Sequence, residues 1–377
     1  MSRRLWWVMA VLCGLVLLVP RAMAQQPPET HPSSEHRDIV MSWDRSAMPG
    51  DIELWPSKTV FGYEEQGTLG YGHMFMTCSS NSSSERGKCP TNDTLEDSVG
   101  AVSTIPLRFT ESRSGMEVDV EVTAAIRRID ATFACSFDYW SGPLRPVWSS
   151  TTGSCAGIDR VGTSVEMRLT SGQLSQLVAG HWSAVLDLTL RMPPHQHLAD
   201  YSFSFDFTIT DHNAVSIYFP LFDQVTPHIG LNLQYDPIAQ TIGGRTQLDM
   251  CLYDGLGSQS SYLGVTVRDS GAQPPGPSGY SVWHVDGGSD ASQRVDYTVT
   301  LDHNGSALPM RNGVEQLLHG IDTARLRLVL LPGMTQPVFC VPTPLTLETP
   351  RVPVSTKRPG YYSGDLKVEL RVPTVTP

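Results

Sequence analysis

Strict alternation of apolar and polar residues is the feature that most limits what this chain can fold into. The segment 202–210 reads SFSFDFTIT, so its large apolar side chains all lie on one face of an extended strand. A period of two is the geometry of a strand with one buried face. The same period recurs at 117–122, 184–190, 215–219, 297–301, 326–330 and 366–372. These segments predict half-buried antiparallel strands.

The composition agrees with short strands joined by tight turns. Only 17% of the residues are charged, whereas Gly (32) and Pro (28) are spread along the chain. Helical patterns are limited to 170–177 and 313–318, each of which could supply a turn or two. We therefore predict an all-β protein built from two β-sandwiches in tandem. The formal net charge of -11 argues against a nucleic acid or an anionic membrane as a partner.

The first 24 residues have the order of a secretory signal peptide. Arg3 and Arg4 form a short basic start, an apolar run extends from Leu5 to Pro20, and residues 22–24 give the small-x-small cleavage pattern AMA. The apolar run is shorter than the about 20 residues that a membrane span needs. We expect residues 1–24 to be removed, and the mature chain to be exported without a membrane span.

The mature chain divides most naturally at residues 211–213, which separate two strongly alternating strands. This predicts a first domain at 25–211 and a second domain at 212–377. The polar, Pro-rich segment 25–37 is expected to be loose, because it has little to bury. The segment 270–279 is interpreted as a long hairpin loop inside the second domain.

Six cysteines remain once Cys13 leaves with the signal peptide, and an even number in an exported chain favours three disulfides over metal binding. Sequence alone leaves about 15 connectivities open. Pairing of nearest neighbours is the simplest, and it gives Cys78–Cys89, Cys135–Cys155 and Cys251–Cys340. With this pairing no disulfide crosses the predicted domain boundary.

No catalytic constellation is recognisable in the sequence. The GxSxG, HExxH and Walker patterns are absent, as is a GxGxxG following a strand. His195 and His197 could form a metal pair, but a third ligand cannot be named, so an exposed loop is the preferred interpretation. We expect no enzyme activity, cofactor or metal. A secreted glycoside hydrolase remains a remote alternative, because paired carboxylates leave no sequence signature.

The tryptophans of the first domain divide into two groups. Trp182 directly precedes an alternating strand and is expected in the core. Trp140 and Trp148 lie between Cys135 and Cys155 and are the better candidates for surface contact. Asn81, Asn92 and Asn304 stand in N-glycosylation sequons, which matter only in a host that glycosylates them.

Several segments taken together resemble the CfaE/CblD family of pilus-tip adhesins, the minor subunits that initiate class 5, alternate-chaperone fimbriae. In the second half they are LDMCLYDG at 248–255, PVFC at 337–340 and RPGYYSGDLKVEL at 358–370. In the first half they are FTESRS at 109–114, WSAVLDLTL at 182–190 and the loop that ends in Cys89-Pro90. The resemblance covers nearly the whole mature chain.

The resemblance implies an N-terminal adhesin domain and a C-terminal pilin domain, both Ig-like sandwiches. The pilin domain would lack one strand and would borrow it first from a periplasmic chaperone and then from a major pilin subunit. An outer-membrane usher would pass the chain from the periplasm to the tip of a surface fimbria. Residues 25–37 show no apolar alternation, so this chain is expected to receive a strand but not to donate one.

The resemblance also suggests where a surface receptor would bind. The small basic cluster of the family falls here on His73, Met192 and Pro193, and only the first of these can carry a positive charge. Arg191, His195 and His197 lie beside it. We therefore take His73, Arg191, His195 and His197 as candidate receptor-binding residues, the receptor being a glycan or another surface molecule. The alternative is an initiating cap that binds no receptor.

Overall fold

The computed structural model describes residues 26–95, 99–131, 139–222, 226–257, 260–334 and 337–373. The predicted signal peptide at 1–24 and Cys135 lie outside these residues. The described chain is built almost entirely of strands, and its helical segments are short. The prediction of an all-β fold is confirmed.

The first half of the chain supplies eleven of the described strands. In chain order they are β1 (Glu35–Asp44), β2 (Ile52–Tyr63), β3 (Phe75–Cys78), β4 (Ser103–Glu111), β5 (Glu117–Ile129), β6 (Leu144–Arg145), β7 (Ser154–Cys155), β8 (Ile158–Asp159), β9 (Gly162–Leu169), β10 (Gly180–Met192) and β11 (Gln196–Thr210). The short helix α1 (Ser171–Leu174) and 3₁₀ turns at Arg45–Ala47 and Tyr71–His73 connect some of them.

These strands form one curled sheet, apart from the small β7–β8 pair. Its order is β1–β11–β10–β4–β5–β9–β2, with β3 beside β10 and β6 beside β5. The two ends of this path come together where Arg37 of β1 donates a hydrogen bond to the carbonyl oxygen of Leu54 in β2, at 2.6 Å. The curl encloses the inward side chains of the alternating strands, among them Trp55, Trp182 and Phe203. Trp182 is therefore a core residue, as predicted.

The second half supplies the remaining described strands. They are β12 (Ser216–Tyr218), β13 (Leu233–Asp236), β14 (Thr241–Leu248), β15 (Cys251–Tyr253), β16 (Tyr262–Asp269), β17 (Tyr280–His284), β18 (Arg294–His303), β19 (Ser306–Met310), β20 (Glu315–His319), β21 (Arg327–Val329), β22 (Val338–Pro342), β23 (Leu345–Pro353), β24 (Tyr362–Ser363) and β25 (Leu366–Arg371). Further 3₁₀ turns lie at His212–Ala214, Ala291–Gln293, Thr323–Arg325 and Val354–Thr356.

The strands of the second half pack as layers around their own apolar core. The larger sheet has the order β13–β14–β23–β18–β17–β24, with β19 beside β18. The other layers are β12–β15–β22–β21 and β20–β16–β25. Two chain segments pass from one layer to the next. Strand β14 pairs with β23 in the larger sheet. The strands next to them in the chain, β15 and β22, pair with each other in another layer. The disulfide Cys251–Cys340 joins β15 to β22 within this crossing.

The structure also contains the disulfide Cys78–Cys89. Cys155 is disulfide-bonded as well. Its predicted partner, Cys135, is the cysteine outside the described residues, so that pairing stays a prediction.

Two local predictions in the second half were wrong. Residues 315–319 form strand β20 rather than a helical turn, because they pair with β16 and alternate between the buried Leu318 and the exposed Leu317. The positive φ of Gly313 also prevents a right-handed helix from starting at this residue. The segment 270–279 is not a hairpin loop, since the strands on either side of it, β16 and β17, belong to different sheets.

Within the segment 25–37, the described residues 26–37 are held more firmly than their composition suggests. Thr30 and Tyr63 exchange backbone hydrogen bonds of 2.9 and 3.0 Å, and strand β1 begins at Glu35. Pro27 is buried. The expectation of a loose segment was wrong, because the backbone of β2 offers partners that composition cannot reveal.

The two halves of the chain touch through an apolar contact. Tyr253, Leu331 and Val338 of the second half belong to the same buried cluster as the core of the first half. The backbone N–H of Asp211 donates to the carbonyl oxygen of Gly255 at 2.6 Å. A cavity of about 930 Å³ lies beside this junction, and burial raises the pKa of Asp211 there. In the described part of the chain, no helix has the length and apolar character of a membrane span.

The two described disulfides should differ in what they contribute to stability. Replacing Cys251 and Cys340 by Ala opens a loop with a sequence separation of 89, against 11 for Cys78 and Cys89. On the chain-entropy model the losses are about 4–5 and about 3 kcal/mol. Urea unfolding of the two double variants should therefore show the larger destabilisation for Cys251/Cys340. The opposite order would contradict this model.

Candidate functional site

The candidate receptor-binding residues lie at one end of the first domain, where β10 turns into β11. In this hairpin Arg191 stands opposite His197 on one side and opposite Phe75 of β3 on the other. The turn between the strands contains the cis peptide Pro193–Pro194 and the exposed His195. The end of this hairpin, together with the 3₁₀ turn at Tyr71–His73, is called the distal patch below.

His73 joins the distal patch because its 3₁₀ turn immediately precedes β3. A Cβ atom added to Gly70, at the start of this turn, would lie 3.3 Å from the sulfur of Met192, so the turn packs beside the hairpin. The ring Nδ1 of His73 lies 3.3 Å from the carbonyl oxygen of Ser150. The structure thus brings His73 and the hairpin residues to the same end of the domain.

The distal patch is only weakly basic. His197 is bonded through Nε2 to Asp200 at 2.9 Å, and this hydrogen bond lowers the pKa of the Asp200 carboxyl. Arg191 is half-buried, and its Nε has no hydrogen-bond partner among the described residues. Arg191 is the arginine among the four candidate residues, and its guanidinium carries a positive charge. No group of three or more potential metal ligands occurs in the described ranges.

The loop that leads to His73 is organised by a buried carboxylate. Oε1 of Glu64 accepts the backbone N–H of Gln66 at 3.3 Å, and Oε2 accepts those of Thr68 and Leu69 at 2.8 and 3.4 Å. Hydrogen bonds from several N–H groups to one carboxylate are charge-assisted and fix a loop strongly. Glu64 therefore positions the turn at Tyr71–His73 without belonging to the patch itself.

The segment beneath His73 is held by a fully buried arginine. Arg128 donates hydrogen bonds to the carbonyl oxygens of Met74, Ser149 and Thr151, at 2.6, 2.7 and 3.1 Å. Burial lowers the pKa of Arg128 to about 9, so the guanidinium stays protonated at neutral pH. Three carbonyl partners explain how this charge is tolerated in the interior. Sequence analysis missed Arg128, because nothing in the motif RRID marks it as buried.

A second candidate site is the outer edge of β25 in the second domain. Among the described strands, β25 pairs with β16 alone. The N–H of Ser270 donates to the carbonyl oxygen of Asp365 at 2.8 Å, which fixes the pairing. Because antiparallel strands bond through alternate residues, the N–H and C=O groups of Leu366, Val368 and Leu370 point to the opposite, open edge.

The same residues of β25 are incompletely covered. Leu366, Val368 and Leu370 are half-buried against the second core. The inward residues of the neighbouring strand β16, Leu263 and Val265, are fully buried at 0% exposure. Ile229 and Leu231, ahead of β13, are also only half-buried against this core. An open edge with a half-covered apolar row is a surface that a further strand would complete.

Comparison with known proteins relates both halves of the chain to the same fimbrial protein. The family model for the first domain of CfaE, a CFA/I fimbrial protein, matches residues 20–212, and the model for the second domain of CfaE matches residues 215–374. The CFA/I fimbrial protein CfaE of Escherichia coli is 26% identical over 307 residues, which cover 79% of this chain and 80% of that protein.

Solved structures share the fold over 93% of this chain. CfaE, the adhesive subunit of the CFA/I fimbria of enterotoxigenic Escherichia coli, is similar with a TM-score of 0.64 and 23% identity, over 93% of this chain and 95% of that chain. A chain from a chaperone–tip adhesin complex of CFA/I fimbriae gives a TM-score of 0.64 and 22% identity, over 93% and 99%.

Loss of the Glu64 carboxylate should loosen the distal patch. We expect Glu64→Ala to reduce stability by about 1–3 kcal/mol, because three backbone donors lose a charged acceptor. Amides 66–69 should then exchange hydrogen faster, as measured by mass spectrometry. Glu65→Ala, at the exposed neighbouring position, is the matched control and should change neither quantity. Unchanged exchange in Glu64→Ala would contradict the positioning role.

Proposed function

Because the chain belongs to the CfaE family of CFA/I fimbrial proteins, we propose that it is a non-enzymatic adhesive subunit at the tip of a fimbria, where it also initiates assembly. The observation that carries the proposal is the half-covered edge of β25. A free subunit with such an edge exposes apolar side chains and unpaired backbone groups. A donated strand satisfies both, and this couples the folding of the second domain to assembly.

The open edge of β25 also indicates which proteins would bind this chain. A periplasmic chaperone would supply the first strand, an outer-membrane usher would receive the chain, and a major pilin would supply the final strand. The similarity to a chain from a chaperone–tip adhesin complex supports the first of these partners. The chain would be exported through the periplasm and displayed on the cell surface, consistent with the signal-peptide pattern at 1–24.

A terminal position is supported by the N-terminal segment. Residues 35–44 form β1, which pairs along its whole length with β11 of the same chain. Thr30 is bonded to Tyr63. A segment already paired within its own domain is not available to complete a neighbouring subunit. The chain therefore fits the end of a fibre, where it accepts a strand and donates none.

Receptor binding is proposed for the distal patch. His73, Arg191, His195 and His197 lie together at an end of the first domain that is remote in the sheet from the junction with the second domain, since β11 reaches that junction only at its opposite end, Thr210. The second candidate function is an initiating cap that binds no receptor. The observation that favours it is the weak basic character of the patch, in which His197 is bonded to Asp200.

Strand acceptance at β25 is tested with the mature chain and a peptide of the N-terminal arm of the major pilin. The peptide should raise the melting temperature by roughly 10 °C, since each kcal/mol of stabilisation corresponds to about 2–4 °C for a domain of this size. Val368→Asp places a charge in the half-buried row and should abolish the increase. Lys367→Asp, whose side chain is exposed on the same strand, is the matched control. An equal increase in both variants would contradict the proposal.

Adhesion through the distal patch is tested on fimbriated cells. The double variant His73→Ala/Arg191→Ala should lower attachment to host epithelial cells at least fivefold, because it removes the guanidinium and one imidazole of the distal patch. Electron microscopy should show an unchanged number of fibres. Arg245→Ala, an exposed arginine in the second domain, serves as the control. Full attachment of the double variant with intact fibres would favour the cap without a receptor.

A further inference from the structure

A groove lies in the first domain, outside the distal patch. It has a volume of about 570 Å³ and is lined by residues from three segments, which include Asn81, Lys88, Asn92, Thr94 and Trp148. This volume lies within the range of about 300–1,000 Å³ that small-molecule sites occupy. The groove is distinct from the distal patch, because none of His73, Arg191, His195 or His197 lines it.

The walls of the groove are fixed before any ligand binds. The disulfide Cys78–Cys89 closes the loop that carries Lys88, whose backbone N–H donates to Pro106 at 2.9 Å. On the other side, the N–H of Thr94 donates to the carbonyl oxygen of Trp148 at 3.0 Å. Arg128 holds the residue after Trp148 through the carbonyl oxygen of Ser149. A site built in advance in this way does not lose binding free energy to ordering.

Several polar side chains of the groove have no hydrogen-bond partner within the described chain. The hydroxyl oxygen of Thr94 is buried and has no hydrogen-bond partner among the described residues. No described hydrogen bond or ion pair engages the side chains of Asn81, Lys88 or Asn92. Amide and ammonium groups thus line the same groove as the aromatic ring of Trp148.

Trp148 gives this site its chemical character. The residue is half-buried, with part of the side chain packed on the first core and part on the groove. An indole face packs well against the C–H face of a pyranose, while amides and hydroxyls bind the sugar hydroxyls. The charged residues of the described lining, Lys88 and Asp93, have opposite signs. Asp93 is also fixed, because it accepts a hydrogen bond from the Ser150 hydroxyl at 2.6 Å.

We propose that this groove is a second binding subsite of the first domain, which takes a neutral pyranose of a surface glycan stacked on Trp148. The inference rests on the adhesive role proposed above and adds a ligand class and a place. Ser150 connects the two sites, since its hydroxyl bonds Asp93 in the groove and its carbonyl oxygen contacts Nδ1 of His73.

The test measures binding of the full mature chain to immobilised neutral oligosaccharides ending in galactose, N-acetylgalactosamine or N-acetylglucosamine, with sialylated counterparts. Trp148→Ala should lower the affinity for a neutral glycan at least tenfold. The control is Trp140→Ala, which removes another half-buried tryptophan, one whose ring lies 5.3 Å from the ammonium group of Lys58. It should stay within twofold of the wild type.

A second measurement does not depend on how Trp148→Ala folds. Asn92→Cys is compared before and after coupling to a bulky maleimide, so both states come from the same folded protein. Coupling should abolish glycan binding, whereas coupling at Ala307→Cys, an exposed site in the second domain, should not. Unchanged binding after coupling at residue 92 would overturn the subsite.

The remaining outcomes separate this inference from the adhesive role. A wild-type chain that binds none of the neutral oligosaccharides, while its fibres still attach to cells, overturns the groove and leaves adhesion standing. A preference for the sialylated oligosaccharides overturns the assignment to a neutral sugar. Fibres that attach to no cells overturn the adhesive role, which the oligosaccharide measurement does not address.

Discussion

The pairing of β10 with β11 is the interaction on which the first domain depends. The two strands run side by side from Gly180 to Thr210, and their inward rows supply Trp182, Leu186, Phe203 and Phe207 to the core. One end of the pair forms the distal patch and the other reaches the junction with the second domain. A single hairpin therefore sets the size of the core, the position of the candidate site and the point at which the next domain begins.

The candidate sites of the first domain are positioned by buried charged side chains, which would be unfavourable in the interior without hydrogen-bond partners. Arg128 is fully buried, and its guanidinium donates hydrogen bonds to carbonyl oxygens of the segments that carry His73 and Trp148. Glu64 likewise fixes the loop before His73. A buried charge with several hydrogen bonds stabilises one loop geometry, because any other geometry would leave that charge unpaired. Rigid surfaces at the end of the domain follow from these interior contacts.

The second domain is organised differently, because its apolar core is closed on one side and open on the other. Strands β16 and β18 bury their inward rows fully, whereas Leu366, Val368 and Leu370 of β25 remain half-covered. The disulfide Cys251–Cys340 lies in the closed part, where two segments pass between layers. A domain of this kind can hold its topology while it still presents one edge to a partner.

The accuracy of the sequence predictions depended on how local the controlling interaction was. The strands at 202–210 and 366–372 could be predicted from the sequence, because the apolar residues of one face and the polar residues of the other alternate along the chain. Strand β20 was mistaken for a helical turn, since its pairing partner β16 lies some 50 residues away in the chain. The attachment of residues 26–34 was missed for the same reason, because Thr30 is held by the backbone of Tyr63.

The sequence by itself determined the all-β class, the main strands and the family resemblance, because these depend on the period of side chains along the chain and on short motifs. Only the tertiary structure decided that Arg128 is buried, that β25 has one partner among the described strands, and that Trp148, Thr94 and Lys88 line a common groove. Residues far apart in the chain meet only when the strands take their register, and a linear pattern does not contain that register.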